Sequence, residues 1–227
     1  AALAAVGAAC GPIAPSPAAG PSAPQPSGSA TPSGSATPGR LAGEPAVGVN
    51  VHAMWDSYSD ADRQAIFSKL ASAGVTWVRI DVGWAGMEPS PGQFQNNGYT
   101  QLADTAVNEA RAAGLRVLIV FWWTPTWANN GGSRATPPTD PNTYAQAIGW
   151  AAQHFAGRVS AWEVWNEPNE TDFWTGSPAQ YSALLRAAYP AVKGGDPNAT
   201  VVLAGPAYND TNWLGGVYAG GVSGAFD

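Results

Sequence analysis

An apolar run, Val159, Ala161, Trp162, Val164 and Trp165, leads straight into the pair Asn166-Glu167 and is stopped by Pro168, which cannot donate to a β-ladder. The pair is therefore expected at the carboxyl end of a strand, where parallel α/β folds carry their chemistry. A carboxyl group framed by Trp162, Trp165 and Trp174 suits acid catalysis on a sugar. Aromatic walls would desolvate the acid and raise its pKa, and they offer faces on which pyranose rings can stack.

Glycoside hydrolysis with retention needs a second carboxyl about 5–5.5 Å from the acid, and inversion a wider gap. Most acids of the chain fail that test. Glu44 lies in a Pro-rich segment, Glu109 falls on a predicted helix, and Glu88 lies in the loop after the second strand. Glu170 and Asp172 follow Glu167 too closely to face it. Asp81, near the end of the second strand, is the best internal candidate, with an ion pair to Arg79 or Arg116 as its alternative role. Glu163 shares strand parity with Trp165 and Glu167, so it should point inward below the site. A buried carboxylate must be paired or neutral, and Arg79 is its natural partner. His52 ends the first strand, either touching substrate or bonded to backbone. Trp84, after strand two, and Trp122, Trp123 and Trp127, after strand three, share the same face; with Trp174 they are expected to supply stacking surface and part of the rim packing. Trp77, Trp150 and Trp213 are assigned to packing.

Alternating runs supply the elements that must hold these residues. Strands are predicted at 47–51, 75–82, 115–122, 159–165 and 200–204. Helices are predicted at 60–73, 99–113, 143–155 and 179–193, with a short one near 213–218. Gly74 and Gly114 stop the first two helices. Strands alternating with helices at this spacing indicate βαβ units, a parallel sheet and an α/β fold of the (β/α)8 type. A closed barrel needs roughly 250 residues. The region from residue 46 holds about five and a half units, with Gly224–Asp227 expected to open a sixth strand.

Before residue 46 the composition changes. Residues 1–9 are small and apolar and run into Cys10, which fits the hydrophobic part of a secretory signal. The run also resembles a bacterial lipoprotein signal with Cys10 as the lipidated residue, although Gly7 stands where Leu is usual. Residues 11–45 are rich in Pro, Ser, Ala and Gly and repeat Ser-Gly-Ser-Ala-Thr-Pro at 27–32 and 33–38, the composition of a disordered tether. A net charge of −6 argues against a nucleic-acid partner and suits neutral or cationic substrates. With a single Cys and two His, no disulfide within the chain and no tetrahedral zinc site is expected.

The run Trp162-Glu163-Val164-Trp165-Asn166-Glu167-Pro168-Asn169 resembles the fourth-strand signature of the clan A glycoside hydrolases, most closely the family 39-like branch. Phe121-Trp122-Trp123-Thr124-Pro125-Thr126-Trp127 resembles that family's third-strand end. The resemblance implies that Glu167 is the general acid/base and that Asn166 contacts the sugar 2-hydroxyl. It places His52 where a substrate-contacting polar residue often stands, and Arg79 where an Arg supports the nucleophile. It also implies a nucleophilic Glu at the end of a seventh strand, beyond residue 227, so that the chain as given would be inactive. The expectation is a monomeric, secreted or outer-face lipid-anchored retaining glycosidase, cut at both ends, that acts on a poly- or oligosaccharide without metal or organic cofactor. The alternative is a non-catalytic carbohydrate-binding or structural lipoprotein on a decayed barrel.

Overall fold

The computed structural model describes residues 46–94 and 97–227. Cys10, with its expected lipidation, and the tether predicted at 11–45 lie outside the described residues. Five strands, β1 (Gly48–Asn50), β2 (Trp77–Gly83), β3 (Arg116–Trp122), β4 (Ala161–Val164) and β5 (Thr200–Leu203), form one sheet in that order. Every neighbouring pair is parallel. The crossovers carry α1 (Asp60–Ser72), the single turn α2 (Trp84–Met87), α3 (Gly98–Ala112), α4 (Pro141–His154) and α5 (Pro178–Gly195), and α6 (Thr211–Ala219) follows β5. Consecutive parallel strands with a helix in each crossover are the first five units of a (β/α)8 barrel, as the alternation predicts.

Local chemistry explains the boundaries. Ser59 with Asp62, and Ser177 with Gln180, form reciprocal capping boxes at the starts of α1 and α5. Asn97, Asp140 and Asp210 cap α3, α4 and α6 through their side-chain oxygens, and Pro141 and Pro178 occupy first-turn positions that need no amide donor. Gly74 and Gly114 end α1 and α3 with φ of 84° and 82°, a conformation in which a side chain would strain the backbone. On β2 the alternation is visible in burial. Val78, Ile80 and Val82 pack under the helices, while Arg79 and Asp81 share the opposite, inner face. β3 is buried on both faces from Val117 to Trp122.

Two expectations are corrected. β4 ends at Val164, so Trp165 is not a strand residue, and residues 224–227 carry no strand: a turn at 223–224 leads to Asp227. There the Asp227 amide donates to the Val201 carbonyl beside β5, and the Asp227 carboxylate accepts from the Val201 amide and pairs with Lys193.

Two buried tyrosines fix the carboxyl ends of the central strands. Tyr144 of α4 donates its hydroxyl to the Phe121 carbonyl at 2.8 Å. Tyr181 of α5 donates to the Val164 carbonyl and accepts from the Ala204 amide, both at 2.9 Å. Tyr181→Phe would orphan buried backbone groups at the ends of β4 and β5, with an expected cost of about 1–3 kcal/mol by denaturant titration. Burial pushes both phenols above the ordinary tyrosine range. A pKa raised on folding gives stability that is complete below the unfolded value of about 10 and is lost as pH rises toward the folded value. Alkaline titration should therefore show two phenols that ionise only as the protein unfolds above about pH 10. Smooth titration of every tyrosine in a folded protein would contradict this.

Candidate active site

The centre of the inner face is the guanidinium of Arg79. Its Nε donates to Glu163 Oε2 at 2.7 Å and its Nη2 to Glu163 Oε1 at 3.0 Å, a two-pronged pair that reaches from β2 across β3 to β4. Nη2 also donates to Asn166 Oδ1 at 2.8 Å, and Nη1 reaches Asn50 Oδ1 at 3.2 Å and Asp81 Oδ1 at 3.4 Å. Burial alone would lower the Arg79 pKa. The hydrogen bond and charge of Glu163, then the charges of Asp81 and Glu167, hold it above its ordinary value. Asp81 completes the chain by binding His52 Nδ1 through Oδ2 at 2.8 Å. The His52 ring stacks on Trp55 with centroids 4.3 Å apart and planes 4° apart. Asn166, Arg79 and His52 are thus brought together, and Asp81 stands between Arg79 and His52, with the Arg79 ion pair foreseen as its alternative role.

Glu167 follows on strained backbone. Trp165 has φ of 75° and Glu167 φ of 38°, left-handed values that side chains rarely adopt. Strand parity would turn Trp165 toward the barrel interior beside Glu163. The left-handed turn breaks that alternation. The indole lies fully buried, edge-on to Trp174 at 4.8 Å, with its Nε1 donating to the Phe173 carbonyl at 2.8 Å. Glu167 is half-buried. Asn169 ties this turn to the loop after β5: its Oδ1 accepts from the Ala207 amide at 2.7 Å and its Nδ2 donates to the Ala207 carbonyl at 3.1 Å.

The aromatic residues divide differently from the expectation. Trp84 and Trp174 are buried and present no face to a ligand. Trp84 instead donates to Glu88 Oε2 at 2.6 Å, and Glu88 also accepts from the Gly92 amide, an arrangement that braces the loop after β2. Trp162 packs on the outer side, against Phe121 and Phe155, so it does not frame the Glu167 carboxyl. Trp122 is nearly buried; Trp123 and Trp127 are half-buried, and Trp127 donates to the Glu88 carbonyl at 3.0 Å. Trp123, at φ 66°, stacks on Trp122 with centroids 4.1 Å apart. Sequence reasoning missed Trp55, Asn50 and Asn169 as members of this rim. Asn50 and Asn169 could have been suspected from their places at a strand end and directly after Pro168.

The family model for cellulase, glycosyl hydrolase family 5, matches residues 40–217. The chain is 30% identical over 139 residues to the "Probable glucan 1,3-beta-glucosidase A" of Aspergillus niger, covering 57% of this chain and 33% of that protein. It is 34% identical over 119 residues to a beta-xylosidase of Geobacillus stearothermophilus, covering 46% of this chain and 23% of that protein. It is also similar to the solved structure of a family 39 glycoside hydrolase from Bacteroides cellulosilyticus WH2, at 27% identity and a TM-score of 0.59, covering 78% of this chain and 36% of that one. The chain spans a third or less of the length of these two curated relatives.

Removing Arg79 tests how far the inner face depends on it. Arg79→Met leaves Glu163 a nearly buried, uncompensated carboxylate, with an expected cost of about 3–5 kcal/mol. The double variant Arg79→Met with Glu163→Leu should regain much of that loss in urea titrations. A double variant as unstable as the two singles combined would show that the pair is not coupled.

Proposed function

We propose that this chain, which belongs to the cellulase family, glycosyl hydrolase family 5, hydrolyses glycosidic bonds with retention and that Glu167 is its general acid/base. The observation that carries the reading is Glu167 on left-handed backbone at the carboxyl end of β4, directly after Asn166, whose amide Arg79 holds. An arginine has only donors, so it must face the oxygen of the Asn166 amide. The Asn166 Nδ2 is then free to donate to a sugar hydroxyl. Among the described residues, no hydrogen bond or ion pair occupies the Glu167 carboxyl, which leaves it open to reach a glycosidic oxygen. His52 spends Nδ1 on Asp81, so its Nε2 is the atom left for substrate.

In the first step a carboxylate attacks the anomeric carbon while Glu167 gives its proton to the departing glycosidic oxygen. In the second, Glu167 takes a proton from the water that cleaves the glycosyl-enzyme. Glu163 is bound twice by Arg79, and Asp81 is held between Arg79 and His52, so neither is free to be the nucleophile. We assign that role to a Glu beyond residue 227. No metal or organic cofactor enters these steps. The names of the relatives, a glucan 1,3-beta-glucosidase and a beta-xylosidase, make β-linked glucan and xylan the backbones to assay first. The apolar run at 1–9 supports secretion, with Cys10 as a lipid anchor and the catalytic unit acting as a monomer outside the cell.

In the protein carrying the complete barrel, Glu167→Gln should lower turnover of glycosides with poor leaving groups by about 10²–10⁴-fold, the usual contribution of a positioned acid. Activated aryl glycosides should still form the glycosyl-enzyme, and azide should restore its breakdown by replacing the water that Glu167 activates. Unchanged turnover of poor-leaving-group substrates in this variant would remove Glu167 from the mechanism.

A further inference from the structure

The aromatic stack after β3 ends in a cation. Phe173, in the loop after β4, meets Trp122 edge-on at 5.5 Å, and Trp122 stacks on Trp123 at 4.1 Å. The Arg134 guanidinium carbon sits 4.4 Å from the Trp123 centroid. Two groups so near one ring cannot share a face, so Trp122 and Arg134 occupy opposite faces, and Trp123 has none left for a sugar.

The backbone around Arg134 is pinned on both sides. Its carbonyl accepts from the Thr124 amide at 3.0 Å, the Ala135 carbonyl accepts from the Thr175 amide at 2.9 Å, and Asn129 Nδ2 donates to the Ser133 carbonyl at 2.7 Å. Trp123 in turn lies against Gly83 at the end of β2, where an added Cβ would come within 3.2 Å of its ring. Arg134 also lies near enough to Tyr99 for its charge to act on that phenol, which burial pushes up. Arg63, Arg79 and Arg158 each pair with a carboxylate. Among the described residues, the exposed Arg134 guanidinium, like those of Arg111 and Arg116, has no carboxylate or hydrogen-bond acceptor, but it alone of the three lies beside the carboxyl end of β3. A cation over a ring uses no hydrogen-bond acceptor, so the guanidinium keeps its N–H donors, the fork that matches a carboxylate.

We propose that Arg134 is the anion-binding element of a glycan subsite on the rim of β3, and that it takes the carboxylate of a uronic acid residue in the substrate. The proposal rests on reading the carboxyl-end face as the glycan-binding face. It also narrows the expectation drawn from net charge. A charge of −6 repels a polyanion at long range, but that field is screened beyond about 8 Å at physiological salt. A two-pronged guanidinium–carboxylate contact acts at about 2.7–2.9 Å.

The test is affinity electrophoresis of the full-length protein in gels containing glucuronoxylan, alginate or a bacterial glucuronan, each run beside its carboxyl-reduced form. Wild type should be retained more strongly by the native acid form of at least one pair. Arg134→Gln should weaken that retention by roughly tenfold or more while leaving the reduced form unaffected. Arg116→Gln removes the same charge at the opposite end of β3, where Arg116 stacks on Trp77 at 4.0 Å, and should change nothing. The proposal fails if no pair shows a preference, if Arg134→Gln matches wild type or weakens both forms equally, or if Arg116→Gln behaves like Arg134→Gln. Reducing-end release from the same glycans, with Glu167→Gln as control, separates the two readings. Hydrolysis without an acid preference removes the subsite alone; an Arg134-dependent preference without hydrolysis removes the glycosidase reading alone.

Discussion

A guanidinium on the inner face of a parallel sheet has to be satisfied, and the pairing of Arg79 organises most of what surrounds it. Its donors go to groups on β1, β2 and β4 and to the turn after β4. A lysine could not do this, because a point charge has no planar fork to hold Glu163 by two parallel bonds while bonding Asn166 beside it. The pair with Glu163 clips together strands that are not neighbours in the sheet. Its bond to Asn166 then sets which way that amide faces, and Glu167 is the next residue. The position of the proposed acid is thus linked by three contacts to a charge buried below it.

The same turn carries a cost that packing has to offset. Left-handed backbone costs a side-chain-bearing residue about 1–2 kcal/mol, and Trp165 and Glu167 adopt it here, as Trp123 does after β3. For Trp165 the balance is clear. Burying an indole of 150–250 Å² contributes roughly 4–6 kcal/mol, and its N–H is also bonded to the Phe173 carbonyl. Nothing comparable rewards Glu167 itself, which is only half-buried. Its conformation is held by its neighbours: Trp165 anchored in the core, Asn166 on Arg79, and Asn169 clamped to Ala207. Strain that persists only because surrounding structure imposes it is common where a side chain is presented for chemistry.

This division explains what could be read from the chain without coordinates. The β and α segments follow from two periodicities and from glycine, serine and proline punctuation, and they fall within a few residues of their predicted limits. The Asn166-Glu167 pair and the Arg79–Glu163 partnership were legible because both depend on strand ends and strand parity. Trp165 was misplaced because alternation holds only while φ stays negative, and no composition signal announces a left-handed tryptophan. Trp84 and Trp174 were misassigned for another reason. A ring that packs and a ring that stacks on sugar look alike in sequence near a strand end, and only burial separates them. Arg134 was invisible because its role depends on a loop folding back over Trp123.

That separation changes the picture of how the site handles water. With Trp84, Trp162, Trp165 and Trp174 committed to the core and both faces of Trp123 occupied, the rings do not form the apolar wall around Glu167 that their positions in the chain suggest. What the described rim presents is mixed: His52 with one free nitrogen, the Asn166 amide and the Arg134 guanidinium, beside the exposed rings of Trp55 and Tyr208. The polar groups orient a sugar through hydrogen bonds but exclude little solvent by themselves. Proton transfer to a glycosidic oxygen is favoured when water is kept from the carboxyl, since charge interactions strengthen as solvent leaves. Under the proposed reading, a glycan bound across this rim would help to cover Glu167. If Glu167 is the proposed acid, substrates long enough to span from His52 to Arg134 would gain rate as well as affinity from their remote contacts, because binding far from the cleaved bond would dehydrate that acid.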